Sequence, residues 1–357
     1  MHSFLRPLDG PFGSPRLRRW ILPWLLAVAA LANLAYPMYV HYDFSHSSDT
    51  RSYLRMAAGR FDSVRITHRY RVLVPAAAAV VAAPVAKLYA RVWPQRPAGL
   101  WPLRFAFYLV NCLLLASAAA CWFNAARCVG ASPIAAALAM LAVLTSRWAV
   151  YGAGLPLTDS LYLLVISLGY YAVRRGSGGA WALVLALVLG PLAKESFVFL
   201  LPWLFWFGRP TLPWTRQAWA MAVGLAALIG VHRWVDAHIG IAADQSVSNA
   251  LEHVDNIAYS IKRAASPKGI GELLSIFGFF AFIPLIAFWL QKRKRGETQT
   301  SIFANLGLSE TSLAAVVAIH MLLSGDLGRM GYLFAPVFCA LLALSFTHWR
   351  RIGTDKL

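Results

Sequence analysis

The stretch AWALVLALVLGPLAKESFVFLLPWLFWF, residues 180–207, decides the fold class. Its first part, Ala180–Leu189, is an unbroken apolar run, and Phe277–Leu290 is another. Runs of this kind belong to helices in a bilayer, not to barrel strands, which are short and alternate. The stretch is too long for one span of about 20 residues. Pro191, Lys194, Glu195 and Pro202 interrupt it, so two short helices meeting at Lys194–Ser196 are expected.

Composition points the same way. Of 357 residues, 59% are hydrophobic and 13% charged; a soluble domain carries about 45–50% and 25%. Mean hydropathy is +0.57. No water-soluble core could hide that much apolar surface. The expected fold is therefore all-α: a polytopic integral membrane bundle forming one transmembrane domain over residues 1–357. About ten membrane segments are expected, some short or broken. They fall near 20–40, 72–92, 104–126, 132–149, 159–173, 180–207, 217–235, 271–290, 310–323 and 330–348. Trp20–Val40 follows an Arg-rich start, but its apolar run exceeds a signal-peptide core, so it reads as an uncleaved first helix.

The net charge of +18 sits mostly in short runs beside apolar segments: Arg16, Arg18 and Arg19; Arg174 and Arg175; Lys292–Arg295; Arg350 and Arg351. This is the positive-inside pattern, not a nucleic-acid surface. It places both termini in the cytoplasm. Residues 41–71 become an external loop with an interfacial helix, and residues 236–270 a second external loop with a helix at Val247–Lys262. Arg104 and Arg174 both read as cytoplasmic, yet three apparent spans lie between them. One of the three must be interfacial, re-entrant or broken.

Several chemistries lack their signatures. Cys112, Cys121, Cys128 and Cys339 have no paired spacing and read as small buried hydrophobes. The histidines, including His41, His46, His68, His232, His238, His253 and His320, show no ligand spacing. No P-loop, GxSxG or dinucleotide fingerprint is present.

The first external loop is the most informative polar stretch. Ser47 or Ser48 is a good N-cap, which puts Asp49 in a first helical turn and Tyr53 four residues on, on the same face. Leu54, Met56 and Ala57 would face lipid, with Arg51 and Arg55 towards lipid phosphate. Arg60, Arg65, Arg69 and Arg71 follow. Arginine at this density outside the membrane suggests a bound phosphate, which its fork grips in a bidentate manner. Asp43 and Asp49 are either cap and loop acids paired with these arginines, or Asp49 is a carboxylate base held ionised by a helix N-terminus. Further in, Asp159 begins a span in LPLTDSL, as an N-cap or a functional acid. Lys194 and Glu195 sit at the helix break, paired with each other or with Lys194 facing a cavity. Asp326 and Arg329 precede the last span and could pair across one turn; Arg329 could instead grip an anionic headgroup.

The order of these motifs resembles the GT-C superfamily of membrane glycosyltransferases, in particular bacterial polytopic members without a large soluble domain. Asp49-Thr-Arg-Ser-Tyr53 follows the first span, and Arg69-Tyr-Arg71-Val-Leu-Val-Pro75 enters the second. Thr158–Leu161, Lys194–Ser196 and Asp326–Arg329 then follow in turn. The resemblance spans nearly the whole chain, although each motif is short. It implies a cavity at the outer membrane face, a sugar donor carried on a polyprenyl phosphate, and inversion by direct displacement. Asp49 would orient or deprotonate the acceptor hydroxyl, assisted by Asp43. Arg329, Arg69, Arg71 and Lys194 would hold the donor phosphate, supported by Tyr53, Asp159, Glu195 and Asp326. Many members carry adjacent paired acids, whereas Asp43 and Asp49 lie six apart, so no cofactor is required and a divalent metal is doubtful. The implied partners are the polyprenyl-phosphate sugar, membrane lipids and a lipid or glycan acceptor. The Ala- and Arg-rich composition suits a bacterial inner (plasma) membrane.

Two other readings compete. A transporter or flippase for a lipid-linked or anionic solute would place Lys194, Glu195 and Asp159 along a path near the midplane. A scaffold subunit would need no acid–arginine loop. The enzyme requires Asp49, Lys194 and Arg329 around one outward-facing cavity.

Overall fold

The computed structural model describes residues 15–43, 47–240, 252–293 and 306–354. His46, Lys294, Arg295 and the first part of the helix expected at Val247–Lys262 lie outside them. The described residues contain helices and no strand.

In chain order the α-helices are α1 (Pro15–Leu34), α2 (Tyr36–His41), α3 (Ser48–Ala57), α4 (Ile66–Arg69), α5 (Leu73–Val92), α6 (Trp101–Cys128), α7 (Pro133–Leu144), α8 (Arg147–Gly154) and α9 (Asp159–Arg175). Then come α10 (Ala180–Ala193), α11 (Leu201–Gly208), α12 (Trp214–Ile239), α13 (Glu252–Ala264), α14 (Pro267–Leu274), α15 (Phe282–Arg293), α16 (Leu308–Ser324), α17 (Leu327–Gly331) and α18 (Ala335–Thr354).

Six helical runs are long and apolar enough to cross a membrane, or eight if each of two bent pairs is one span. The chain therefore fits a multi-pass membrane protein. Ten segments were expected. The apolar helices Glu195–Gly208 and Leu308–Ser324 fall short, at 10–17 residues. At a rise of 1.5 Å per residue, about 20 residues are needed to cross 30 Å.

One of the long runs, Asp159–Ala193, is not a single rod. Gly176 takes φ +65° after α9, a conformation glycine adopts freely, and the chain reverses. The proof is at the open end, where the Asp159 carboxylate lies 3.5 Å from Lys194 Nζ, the residue following α10. A straight helix would separate those groups by about 50 Å. The expected break after α10 is present: Lys194 is extended (φ −165°, ψ 140°), and a 3-10 turn over Glu195–Leu200 leads into α11.

α6 is the hub. It packs on α1, α5, α7, α8, α9 and α18. Its buried alanines, among them Ala116, Ala118, Ala119, Ala125 and Ala126, let neighbouring backbones approach closely, as small residues do where lipid offers no hydrophobic drive. Trp122 is fully buried and donates to Ser167 Oγ on α9 at 2.7 Å.

Contacts sort the helix ends into two groups. At one end, Arg19 Nε donates to Asn124 Oδ1 at 2.6 Å, and Trp20 packs on Tyr171 and Trp181. Thr211 Oγ1 donates to the Ala172 carbonyl, Arg174 pairs with Glu310, and the Ser132 amide donates to Thr347 Oγ1. The other end carries Tyr42 against Tyr151, Asn111 against the Leu155 and Leu157 carbonyls, Tyr70 on Asp236, and the start of α9.

This sorting separates Arg104 from Arg174. Arg104 Nη2 donates to the Tyr39 carbonyl, and Arg104 interacts with Asp43. It therefore lies at the end opposite Arg174, and its expected placement beside Arg174 is corrected. An acceptor and an acid hold the cation where charge counting alone would not put it. The middle segment of the three is also broken, with α7 and α8 meeting at 68°.

Candidate functional site

The site forms where helices end. Ser47 caps α3, its side chain accepting from the Thr50 amide. This sets Asp49 in the first turn with Tyr53 on the same face. The helix docks on the protein, and not by an apolar lipid-facing stripe as expected: Leu54 and Met56 are buried, and α3 packs on α5.

Asn111 on α6 ties down the chain before α9 and also bonds Ser160. Thr158 makes no cap bond with its side chain; its hydroxyl bonds Tyr53 Oη at 3.2 Å. The Asp159 carboxylate is thus turned towards other partners. Gly325 (φ +70°) ends α16, and Asp326 caps α17 by accepting from the Arg329 amide at 3.0 Å. Gly328 lies so close to the Trp148 indole that a Cβ has no room. Together these fix the Arg329 turn.

The side chains meet in one network. Arg329 Nη1 donates to Asp49 Oδ2 at 3.0 Å and to Asp159 Oδ2 at 3.5 Å, while its Nε lies 3.1 Å from Asp326 Oδ2. Lys194 Nζ reaches Asp159 Oδ1 at 3.5 Å, stands 3.3 Å from Met330 Sδ, and lies over the Tyr162 ring. Arg71 Nη2 pairs with Glu195 Oε2 at 2.8 Å, and its Nη1 donates to Tyr53 Oη at 3.1 Å. Lys194 and Glu195 therefore pair with distant residues and not with each other.

Eight of the expected site residues converge here: Asp49, Tyr53, Arg71, Asp159, Lys194, Glu195, Asp326 and Arg329. Two stand apart. Asp43 is exposed and interacts with Arg104. Arg69 is buried and donates from Nη2 to the Val64 carbonyl at 3.0 Å; its Nε and Nη1 have no hydrogen-bond partner among the described residues.

The sequence reading missed His68. Its Nε2 lies 3.7 Å from Asp49 Oδ1, and its ring leans on Tyr53. The only signal was its place in the Arg-rich loop, since contact with Asp49 needs α3 and α4 folded together. Tyr162 and His320 were also missed. They share a buried hydrogen bond of 2.6 Å one layer below Lys194.

Burial would raise the Asp49 carboxyl, but the Arg329 guanidinium and then His68 outweigh it and hold it below the ordinary 3.8. Burial lowers His68 below 6.5, with Asp49 opposing and Arg71 reinforcing. Burial would also lower Arg71, but the Glu195 carboxylate opposes it and the guanidinium stays charged. Asp49 is thus an ionised carboxylate and His68 a neutral imidazole at neutral pH.

A pocket opens beside Arg329 and Asp159, walled by Leu115, Trp148, Tyr151, Leu163, Tyr332 and Leu333. Arg329 forms the border between this apolar recess and the Asp49 side. Among the described residues no group of three His, Cys, Asp or Glu side chains is disposed to hold a metal ion.

The chain matches no family model, no curated protein and no solved structure. What the site can do is therefore argued from its own geometry. It can hold an anion on three clustered cations, provided the carboxylates that now neutralise them give way. One of those carboxylates, Asp49, would be released in doing so.

Proposed function

We propose that the protein is a membrane glycosyltransferase that moves a sugar from a polyprenyl-phosphate donor to a lipid or glycan acceptor at the outer face of the membrane, with inversion. The observation that carries this reading is the contact between Asp49 and Arg329. A loop carboxylate and a cation before the last span share one bond, with Lys194 and Arg71 close by.

In this reading the donor phosphate takes Arg329 from Asp49. Asp49 then accepts the proton of the acceptor hydroxyl. The acceptor oxygen bonds the anomeric carbon as the bond from that carbon to phosphate oxygen breaks. The electron pair leaves on the polyprenyl phosphate, whose added charge Arg329, Lys194 and Arg71 stabilise. Asp43 has no part in this step, because it stands by Arg104.

The flippase reading is less well supported. The charged members of the network gather in one cluster around Arg329, as a single reaction centre needs, and are not strung out as a succession of sites.

The test is sugar transfer in membranes from a panel of polyprenyl-phosphate sugars, with native lipid extract as acceptor. Asp49→Asn should lower transfer by about 10²–10⁴-fold at equal expression. Equal rates for wild type and variant would remove Asp49 from the chemistry.

A further inference from the structure

The α13–α14 hairpin at the site end is amphipathic the wrong way round for a water-facing element. α13 docks on its polar side: Asn256 Nδ2 donates to the Leu323 carbonyl at 3.1 Å and Ser260 Oγ to the Leu322 carbonyl at 2.8 Å. Arg263 turns back to Glu272 on α14. The face left outside carries Ile261, 57% exposed, one turn from Ala258 and Ala265. α14 does the same. Ile270 and Leu274 are 49% and 53% exposed, on the stripe that begins at Pro267.

Direction and charge identify what covers this face. α14 meets the helical segment Gly278–Gln291 at 78°. If that segment runs along the membrane normal, α14 lies in the plane. Both helices are far too short to cross. Lys262 and Lys268 are exposed beside the apolar stripes, where long stems let an ammonium reach headgroups while the stem stays in apolar surroundings.

We infer that the α13–α14 hairpin is a docking surface for the acidic phospholipid leaflet at the site end. Ile261, Ile270 and Leu274 enter the acyl boundary, and Lys262 and Lys268 contact lipid phosphates. The hairpin packs on α16 and α17, and the Tyr259 ring lies against Gly325. The Arg329 turn is thereby held at headgroup depth. This inference does not rest on sugar transfer.

Spin labels at Ile261→Cys and Ile270→Cys test it, in full-length protein carrying Cys128→Ser. The bilayers are phosphatidylcholine with and without phosphatidylglycerol. Both labels should be relaxed by oxygen and protected from a water-soluble nickel chelate. Access by the chelate would overturn the inference, and protection from both reagents would show a protein partner or second copy instead. Lys262→Gln and Lys268→Gln should each weaken the preference for retained phosphatidylglycerol about fivefold. An unchanged preference would overturn the acidic-lipid assignment. None of these outcomes depends on the fate of Asp49→Asn.

Discussion

Arg329 shows what a single side chain does in this molecule. Its fork contacts Asp49, Asp159 and Asp326 at once, a geometry that a lysine point charge does not reproduce. Arg329→Met should leave Asp49 and Asp326 without the guanidinium and Asp159 with Lys194 alone, and destabilise the protein by on the order of 3 kcal/mol, read as a fall in unfolding temperature in detergent. Arg329→Lys should recover only part of that loss. His68 and Asp49 predict a pH dependence of the same sign. The folded His68 resists protonation below 6.5 while the unfolded chain takes up the proton, so stability falls as pH drops from about 6.5 towards the folded value. Asp49, held below 3.8, contributes stability that is present above about pH 4 and lost as pH falls through its folded value. His68→Gln should flatten the upper part of the profile and leave the lower part. Identical profiles for variant and wild type would remove His68 from the network.

At the scale of elements, the break between α10 and α11 is held by packing. The Phe197 ring occupies the position that a Cβ on Gly190 would need, and Phe197 is buried. Gly190→Val should overpack this contact, cost about 1–3 kcal/mol and displace the segment that presents Lys194. Thermal unfolding measures the cost. Loss of the Lys194–Asp159 pair should make Lys194→Gln nearly additive with Asp159→Asn in the Gly190→Val background, where in wild type the two should couple. The break was legible in sequence, since Pro191, Lys194 and Glu195 cannot continue an apolar helix without cost. The docking of α3 was not. An amphipathic helix has one apolar face whether it meets lipid or protein, and α5 decided the matter for Leu54 and Met56.

At the scale of the whole molecule, the two groups of helix ends make a topological prediction. Single cysteines replacing Arg104 and Asp326 should react with an impermeant thiol reagent from one side of sealed vesicles. Cysteines replacing Arg127 and Arg175 should react from the other. Arg104 and Arg175 labelled from the same side would contradict the arrangement of α6, α7–α8 and α9. The prediction departs from charge counting at Arg104, where the Tyr39 carbonyl and Asp43 meet the cation locally.

The sequence by itself determined the helical class of this protein and the long apolar runs that fit a bilayer. Long apolar runs must satisfy every backbone group internally, and only helices do so within one segment. It also singled out most of the charged site residues, because a charge beside an apolar run is costly enough to need a reason. Only the tertiary structure decided the pairings. Lys194 chose Asp159 over its neighbour Glu195, Glu195 chose Arg71, and His68 joined Asp49 while Asp43 turned to Arg104. The Lys194–Asp159 pair depends on the reversal at Gly176, and the Arg71–Glu195 pair joins residues 124 positions apart. Spacing along a chain carries no record of such contacts.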